Sequence, residues 1–243
     1  RRASFARFRE QGIPTSRVEA WKYTNVARVG NVPMALAPKA HVRLDDLAPY
    51  LAGGPKARRL IFVNGHIVPE LCHVESLPEG VRIASLAKAM DAEPERVAEA
   101  LRATESDDRS FTALNAAFVG AGAWVEVDDG VEVPEPLQLL FLTVGQPAPF
   151  MAHPRNVVRL GNGAKLRLIE SHVGLGEGQS LVNLVSQIEL GAGSLLEHDR
   201  VELVGGQGSH IGKTYLRMAD RAKLAQAVAT MGGGLVRNET EAR

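Results

Sequence analysis

A two-strand phrase recurs from residue 123 to the last residue of the chain. Each copy contains a turn followed by a short run in which every second residue is apolar. The copies align on their leucines, with steps of 30 and 28 residues between Leu166, Leu196 and Leu224. Repeats at this spacing are typical of architectures in which one structural unit stacks on the next.

Each copy also contains a second strand-like run. Residues 184–190 alternate cleanly between apolar and polar, residues 157–160 do so briefly, and residues 211–218 do so less well. A unit of two strands and two turns is too small to bury its own apolar face, and stacking solves this because each strand then pairs with its counterpart in the next unit. The pattern predicts a mainly β fold, a right-handed parallel β-helix. An antiparallel sandwich remains an alternative, although its turns typically recur after about 8 to 12 residues.

The copy at residues 219–231 is rich in alanine. Helix propensity by itself predicts a helix there. However, Leu224, Gln226, Val228 and Thr230 alternate with small or flexible residues, which suits a strand with one small-residue face. The repeat favours the strand.

The first half of the chain is predicted to consist of short helices and one hairpin. An Arg-rich helix with Phe5 and Phe8 should stop at Gly12, because glycine suits a helix end. Residues 59–68 predict a β-hairpin, because Asn64-Gly65 suits a type I′ turn.

Three further helices are predicted before residue 122. They begin near Ser85, a capping residue, near Pro94, which fits a first turn, and near Ser110. A short strand is expected at residues 131–134, after residues 123–127. We therefore expect a small, mainly helical α+β domain at residues 1–122 and the first part of a β-helix at residues 123–243.

Charge and cysteine content narrow the functional classes. The chain has 28 Lys or Arg and 28 Asp or Glu, so no overall field attracts nucleic acid or an anionic membrane. Cys72 is the sole cysteine, which excludes an internal disulfide or a CxxC motif and suits a reducing compartment. No apolar run reaches the roughly 20 residues that span a bilayer. We expect a cytoplasmic protein with no nucleic-acid or membrane partner. Since the chain starts without methionine and ends inside the repeat, we interpret it as a fragment.

Several motifs could carry chemistry, and each has a simpler explanation. Residues 206–214 nearly spell a phosphate-binding loop, but Gln207 stands where that loop needs glycine, so we expect a turn between coils. The segment from Trp21 to Tyr23 could dock a partner, but such clusters more often fix a helix to its own domain.

Histidines and acids suggest a metal site without defining one. Glu170 and His172 share one strand face, Glu197 and Asp199 lie opposite His198, His210 follows one turn later, and His66, Cys72 and His73 cluster near the hairpin. None of these pairs has a diagnostic metal-ligand spacing. We therefore predict no catalytic, cofactor-binding or metal-binding residues in this chain.

Local phrases resemble a known family. Residues 12–24, which include Trp21-Lys22-Tyr23-Thr24, resemble the opening of the SufD family of the SUF iron–sulfur cluster assembly machinery. Residues 62–71 resemble its hairpin, residues 111–118 resemble the helix before its β region, and shorter matches follow in the same order. The related SufB subunits share the β region but usually not this opening and hairpin, so SufD is favoured.

The resemblance implies a scaffold subunit that is not an enzyme. SufD-like proteins carry a right-handed parallel β-helix between helical domains, pair with SufB and recruit the ATPase SufC. No cofactor is expected in this fragment, an iron–sulfur cluster is possible only in the full complex, and the partner-binding and metal-implicated residues are expected beyond residue 243. The alternative is a carbohydrate-active β-helix enzyme with groove carboxylates among Glu170, Glu189, Glu197 and Asp199.

Overall fold

The structure, a computed structural model, describes residues 1–54, 57–102 and 109–243. The helices are α1 Arg2–Gln11, α2 Ala27–Gly30, α3 Leu44–Leu47, α4 Leu86–Ala92, α5 Pro94–Arg102 and α6 Ser110–Ala117. The strands are β1 Ala35–Leu36, β2 Arg58–Val63, β3 His66–Ile67, β4 Val81–Ser85, β5 Ala123–Val127, β6 Leu137–Val144, β7 Phe150–Ala152, β8 Arg155–Leu160, β9 Lys165–Leu175, β10 Ser180–Leu190, β11 Leu195–Val204, β12 Gly208–Met218, β13 Lys223–Gly232 and β14 Leu235–Ala242. In these described ranges no helix is both long enough and apolar enough to cross a membrane.

Two stacks of strands form a β-solenoid of about four turns. The first sheet contains β4, β5, β8, β10, β12 and β14, and β7 and β1 also join it beside β10. The second sheet runs in the order β3, β2, β6, β9, β11 and β13. Successive coils pair in parallel in both sheets, so the predicted parallel β-helix is confirmed and the sandwich alternative is wrong. Its right hand stays a prediction from the usual rule for parallel crossovers.

The register between coils is the one that the leucine spacing predicted. Leu196 on β11 pairs with Leu166 on β9 and with Leu224 on β13. Leu166 and Leu196 are buried in the main apolar core together with Ile188 and Leu190 from the opposite sheet. Stacking therefore buries one continuous column of aliphatic side chains between the two sheets.

The alanine-rich segment is a strand, as the repeat predicted. β13 pairs along its whole length with β11, which places Ala225 opposite Glu197 and Ala227 opposite Asp199 on the outward face. Backbone pairing with the preceding coil outweighs the helix propensity of alanine, because ten residues gain inter-strand hydrogen bonds at once.

Most local predictions for the first half of the chain are confirmed. Gly12 ends α1 with a φ of 67°, and Asn64 and Gly65 have the positive φ values of a type I′ turn. The Ser85 hydroxyl accepts a hydrogen bond of 3.2 Å from the Lys88 amide at the start of α4. The sequence analysis did not anticipate β1 or β4, and β4 pairs antiparallel with β5.

The hairpin strand β2 pairs in parallel with β6 as well as antiparallel with β3. The first half of the chain thus supplies strands to both sheets of the β-helix. The expected strand at residues 131–134 is wrong, because this segment makes only an isolated bridge between Glu132 and Lys165. The division of the chain at residue 122 stays a proposal.

Polar side chains join the helices to the outer face of the first sheet. The Asn115 amide on α6 donates hydrogen bonds to the carbonyls of Pro154 and Asn183, at 2.8 and 2.9 Å. The guanidinium of Arg155, which is fully buried, donates to the Gln187 side-chain oxygen at 2.7 and 2.9 Å. Buried polar groups are tolerated when they are paired in this way, and the pairing fixes the position of the helices on the sheet.

Trp21 fixes the N-terminal segment to the last coil. Its ring packs on Phe111, and the Arg237 guanidinium lies 4.4 Å from its centroid. Arg237 also donates hydrogen bonds to the Thr24 hydroxyl at 3.0 Å and to the Ala20 carbonyl at 2.8 Å. For Trp21 the structural interpretation of this segment is therefore confirmed, whereas Tyr23 projects into solvent.

We predict that Gly122→Ala lowers the free energy of unfolding by about 3 kcal/mol or more. A Cβ atom at residue 122 would lie 1.9 Å from the Arg155 carbonyl oxygen, and its φ of +118° disfavours any side chain. Urea denaturation of both the variant and the parent chain measures this difference.

Gly130→Ala is the matched control. Gly130 also has a positive φ, +72°, but a Cβ atom there meets nothing within 4 Å. We expect a loss of only about 1 to 2 kcal/mol. Equal losses in the two variants would contradict the close approach of the coils at Gly122.

Candidate functional site

The outermost strands of the solenoid, β13 and β14, form a surface that we call the rim. Within the described residues β13 pairs only with β11 and β14 only with β12, so each presents one free backbone edge. Val228 lies on the inward face of β13, where it pairs with the buried Arg200, yet its side chain is 50% exposed. Met231 on the same strand is 55% exposed. Free edges next to exposed apolar side chains are a template for pairing with another strand.

Below the rim, six polar side chains project into the interior of the solenoid, and we call them the polar column. They are Glu170, His172, His198, Arg200, Glu202 and His210, and all of them are buried. Strand register brings them together, because Glu170 pairs with Arg200 and His172 with Glu202 on neighbouring coils. They therefore replace the leucines of the repeat toward one end of each inward-facing row.

Glu170 is the centre of the polar column. Its Oε1 lies 2.6 Å from His172 Nε2, and its Oε2 lies 3.2 Å from His198 Nε2. Arg200 Nε lies 3.7 Å from Oε1. Burial alone would raise the pKa of this carboxyl, but Arg200 and the two imidazoles hold the pKa of Glu170 well below its usual range.

Hydrogen bonding assigns protons to two of the histidines. Arg200 Nη2 lies 2.9 Å from His210 Nε2, and since arginine only donates, this nitrogen accepts. The Gln226 side-chain amide lies 3.0 Å from His198 Nδ1, so that nitrogen accepts while Nε2 donates to Glu170. Burial also lowers the pKa of His210 well below its usual range, which keeps the imidazole neutral.

Polar residues of the rim close the column from above. Glu202 accepts hydrogen bonds from the Thr230 hydroxyl at 2.7 Å and from the Asn238 amide at 2.8 and 3.0 Å. It also pairs with Arg200 Nη2 at 2.9 Å. The rim and the column thus form one hydrogen-bonded unit that orients β13 and β14.

Aromatic rings continue the column in the opposite direction. Phe62 stacks on Phe141 at 4.8 Å, and Phe141 stacks on His172 at 4.9 Å. The stack follows the register of β2, β6 and β9. His172 is therefore held between an aromatic ladder and a carboxylate, which fixes its ring.

The sequence analysis correctly put Glu170 and His172 on one face, and the structure adds His198 and His210 to them. Glu197 and Asp199 face outward, where Asp199 pairs with Arg167 at 3.4 Å. No group of three or more His, Cys, Asp or Glu side chains in the described ranges is placed to hold a metal ion. The expected absence of catalytic, cofactor and metal residues stays a prediction.

The hairpin residues lie apart from the column. The His66 ring contacts the Ala37 carbonyl, and the His73 ring contacts the Ala57 carbonyl, both through ring nitrogens. Burial raises the pKa of the Cys72 thiol, which disfavours a reactive thiolate. These three side chains act within the local structure.

The near match to a phosphate-binding loop is part of strand β12, as residues 208–218 form one extended run. Lys213 Nζ lies 2.7 Å from a Glu239 oxygen and 3.2 Å from a Glu241 oxygen. The lysine is thus paired inside the protein, and the expected turn covers only residues 205–207.

Sequence reasoning missed Arg200, Glu202 and Asn238 as members of the interior. A signal was present for Arg200 and Glu202, which lie two and four residues after His198 in the row that starts at Leu196. Asn238 pairs with Gly212, for which the sequence analysis predicted no inward row. Polar residues in an inward row predict an internal hydrogen-bonded network.

We predict that Glu170→Gln lowers the free energy of unfolding by about 3 kcal/mol at neutral pH, because it leaves Arg200 and two imidazole donors without their carboxylate. Urea denaturation measures the change. Glu197→Gln on the outward face is the matched control and should change stability by less than about 0.5 kcal/mol. A neutral effect of Glu170→Gln would contradict the central role of this carboxylate.

The buried His153 should make the stability of the protein depend on pH. Its ring is buried, stacks on Phe118 at 5.2 Å and accepts a hydrogen bond from Asn183, and burial lowers its pKa to about 4. The unfolded chain binds the proton near pH 6.5 and the folded chain does not, so stability falls as pH drops below 6.5.

His153 should contribute about 2 kcal/mol to the loss of unfolding free energy between pH 7.5 and 5. His153→Gln should reduce this loss, because it removes the buried imidazole. Denaturation series at the two pH values give the slopes, and an unchanged slope for His153→Gln would refute the assignment.

Comparison with known proteins places these features in a family. Residues 1–139 match the SufBD protein N-terminal region, and residues 141–243 match the SUF system FeS cluster assembly, SufBD core domain. An iron–sulfur cluster assembly SufBD family protein of Synechocystis sp. is 32% identical over 162 residues, which are 66% of this chain and 35% of that relative. The matched segment thus spans about a third of the relative's length. With more than half of the chain matched by the N-terminal region alone, the chain belongs to the SufB/SufD family.

Proposed function

We propose that this chain is part of a scaffold subunit for iron–sulfur cluster assembly, with no catalytic activity of its own. The whole protein pairs with a SufB-like subunit and recruits a SufC-like ATPase, and the opening phrase and hairpin favour a SufD-like over a SufB-like assignment. Any nascent cluster is cargo of the assembled complex.

The observation that carries this proposal is the rim. It combines two free strand edges with an exposed, inward-directed Val228 above an ordered polar column. A further strand, from a later coil or from another subunit, would extend both sheets by main-chain hydrogen bonds and cover Val228.

The alternative function, a carbohydrate-active enzyme, would need carboxylates that already form hydrogen bonds or ion pairs within this protein. Glu170 is sealed inside the solenoid and bonded to two imidazoles. Glu189 pairs with Arg159 at 2.9 Å on the outer face of the first sheet. No observation on the described residues favours a sugar-binding groove over a scaffold.

Introducing Asp at residue 228 tests the rim. In the gene product that contains this chain, we expect Val228→Asp to lower the yield of the complex with the SufB-like subunit, because the next strand, whether from a later coil or from that subunit, would bury the carboxylate without a partner. The isolated 243-residue chain should keep its stability, since Val228 is half exposed there.

Ala229→Asp is the matched control. Ala229 lies next to Val228 on the same strand but on the outward face. We expect normal co-purification for this variant. Loss of the complex in both variants, or in neither, would argue against pairing through the rim.

Recruitment of the ATPase is tested separately. The gene product that contains this chain should co-purify with SufB-like and SufC-like subunits, whereas residues 1–243 alone should not recover the SufC-like subunit. Recovery of SufC with the 243-residue chain would contradict the proposal that the ATPase binds elsewhere.

A further inference from the structure

Charge is strongly segregated along this electrically neutral chain. Residues 1–30 contain seven Arg or Lys and two Glu, whereas residues 31–243 contain 21 and 26, respectively. The first segment thus has a formal charge of +5 and the remainder −5. An asymmetry of this size within one chain indicates a surface with its own electrostatic partner.

Six of the seven cations of this segment are exposed and lie outside the ion pairs of the described residues. Arg1, Arg2, Arg9, Arg17, Lys22 and Arg28 are all exposed. Across residues 1–54, 57–102 and 109–243, none of these six side chains forms an ion pair. By contrast, Arg237 and Lys213 nearby are bonded to Glu239.

Large apolar side chains accompany these charges. Tyr23 is 91% exposed, Val18 47% and Phe5 42%. The Lys22 Nζ lies 5.5 Å from the centroid of the Tyr23 ring. Exposed Tyr with Arg is the composition that most often carries the binding energy of protein interfaces.

An open groove of about 530 Å³ lies within this surface. It runs between residues 13–16 and residues 22–31, and Ile13, Pro14 and Val26 contribute its apolar lining. Lys22 is the single charged residue among those that line it, while Arg17 and Arg28 directly follow lining residues in sequence. The groove therefore has an apolar lining with one cation, Lys22, and two further arginines next to its lining residues in sequence.

We propose that residues 1–30 form a docking surface for an acidic segment of a partner protein. An apolar side chain of that segment lies in the groove beside Tyr23, and flanking carboxylates pair with Arg17, Lys22 and Arg28. This proposal uses a different surface from the rim and does not rest on the assignment as an assembly scaffold.

Two other anionic partners fit less well. Nucleic acid would contact the exposed cations but would leave the apolar lining of the groove, Ile13, Pro14 and Val26, without a matching apolar group. An anionic membrane would need a free apolar helix face, but Phe8 of α1 packs into the cluster with Trp21, and Phe5 lies edge-on to Phe118. A peptide with acidic flanks and an apolar centre matches both the edge and the lining.

The test uses a fluorescein-labelled peptide of about 12 residues, with glutamates flanking a central Leu-Phe pair, and the full 243-residue chain in fluorescence anisotropy. We expect saturable binding that weakens with salt. Arg17→Glu/Lys22→Glu should weaken binding by about tenfold or more. Tyr23→Ser should weaken binding at low and at high salt, because it removes the apolar contact.

Lys39→Glu/Lys88→Glu is the matched control. It makes the same charge change at two exposed lysines outside the segment, and it should leave the affinity within about twofold. Thermal unfolding midpoints of both double variants should equal that of the parent chain. An equal loss of affinity in the control, or no effect of Tyr23→Ser, would overturn the proposal.

Competing ligands separate the partner classes. A peptide with Gln in place of every Glu, a single-stranded oligonucleotide of equal length, and phosphatidylserine–phosphatidylcholine vesicles are measured in parallel. The proposal expects the acidic peptide to bind most tightly. Tighter binding of the oligonucleotide or of the vesicles would overturn it in favour of that partner.

Discussion

Parallel, in-register pairing between successive coils is the constraint on which the remaining structure depends. Once Leu196 pairs with Leu166 and Leu224, the register of these three strands is fixed, and each remaining residue in them faces either the interior or the exterior. A shift of one residue would expose the leucines and bury their charged neighbours. The same register that builds the apolar core also brings Glu170, Arg200 and their partners into contact.

The polar column shows how a solenoid tolerates charge in its interior. Ions are costly to bury unless each one is paired and hydrogen-bonded. Glu170 has two imidazole donors and a guanidinium, and Glu202 has a guanidinium, a hydroxyl and an amide. Because these partners come from four different strands, the column also specifies which coil lies above which.

In the N-terminal segment, two nearby aromatic residues have different roles, one inside the protein and one on its surface. Trp21 packs on Phe111 and carries Arg237 on its face, so it attaches the segment to the last coil. Tyr23, two residues later, is almost fully exposed beside uncommitted cations. One short turn thus anchors the fold and presents a surface, and this surface lies close to the rim because Arg237 belongs to β14.

The sequence alone determined the repeat, the strand assignment of residues 219–231, the Asn64-Gly65 hairpin, the helix caps and the family resemblance. These follow from local chemistry: alternation, positive φ and capping act within a few residues. Only the tertiary structure decided that β4 and β2 join the two sheets and that Glu170, His198 and His210 meet inside the solenoid. It also decided that Lys213 pairs with Glu239 and does not face a phosphate. Those contacts join residues that are far apart in the chain. Which residues meet depends on how the coils stack and on the hand of the connections between strands, and no local sequence pattern encodes either.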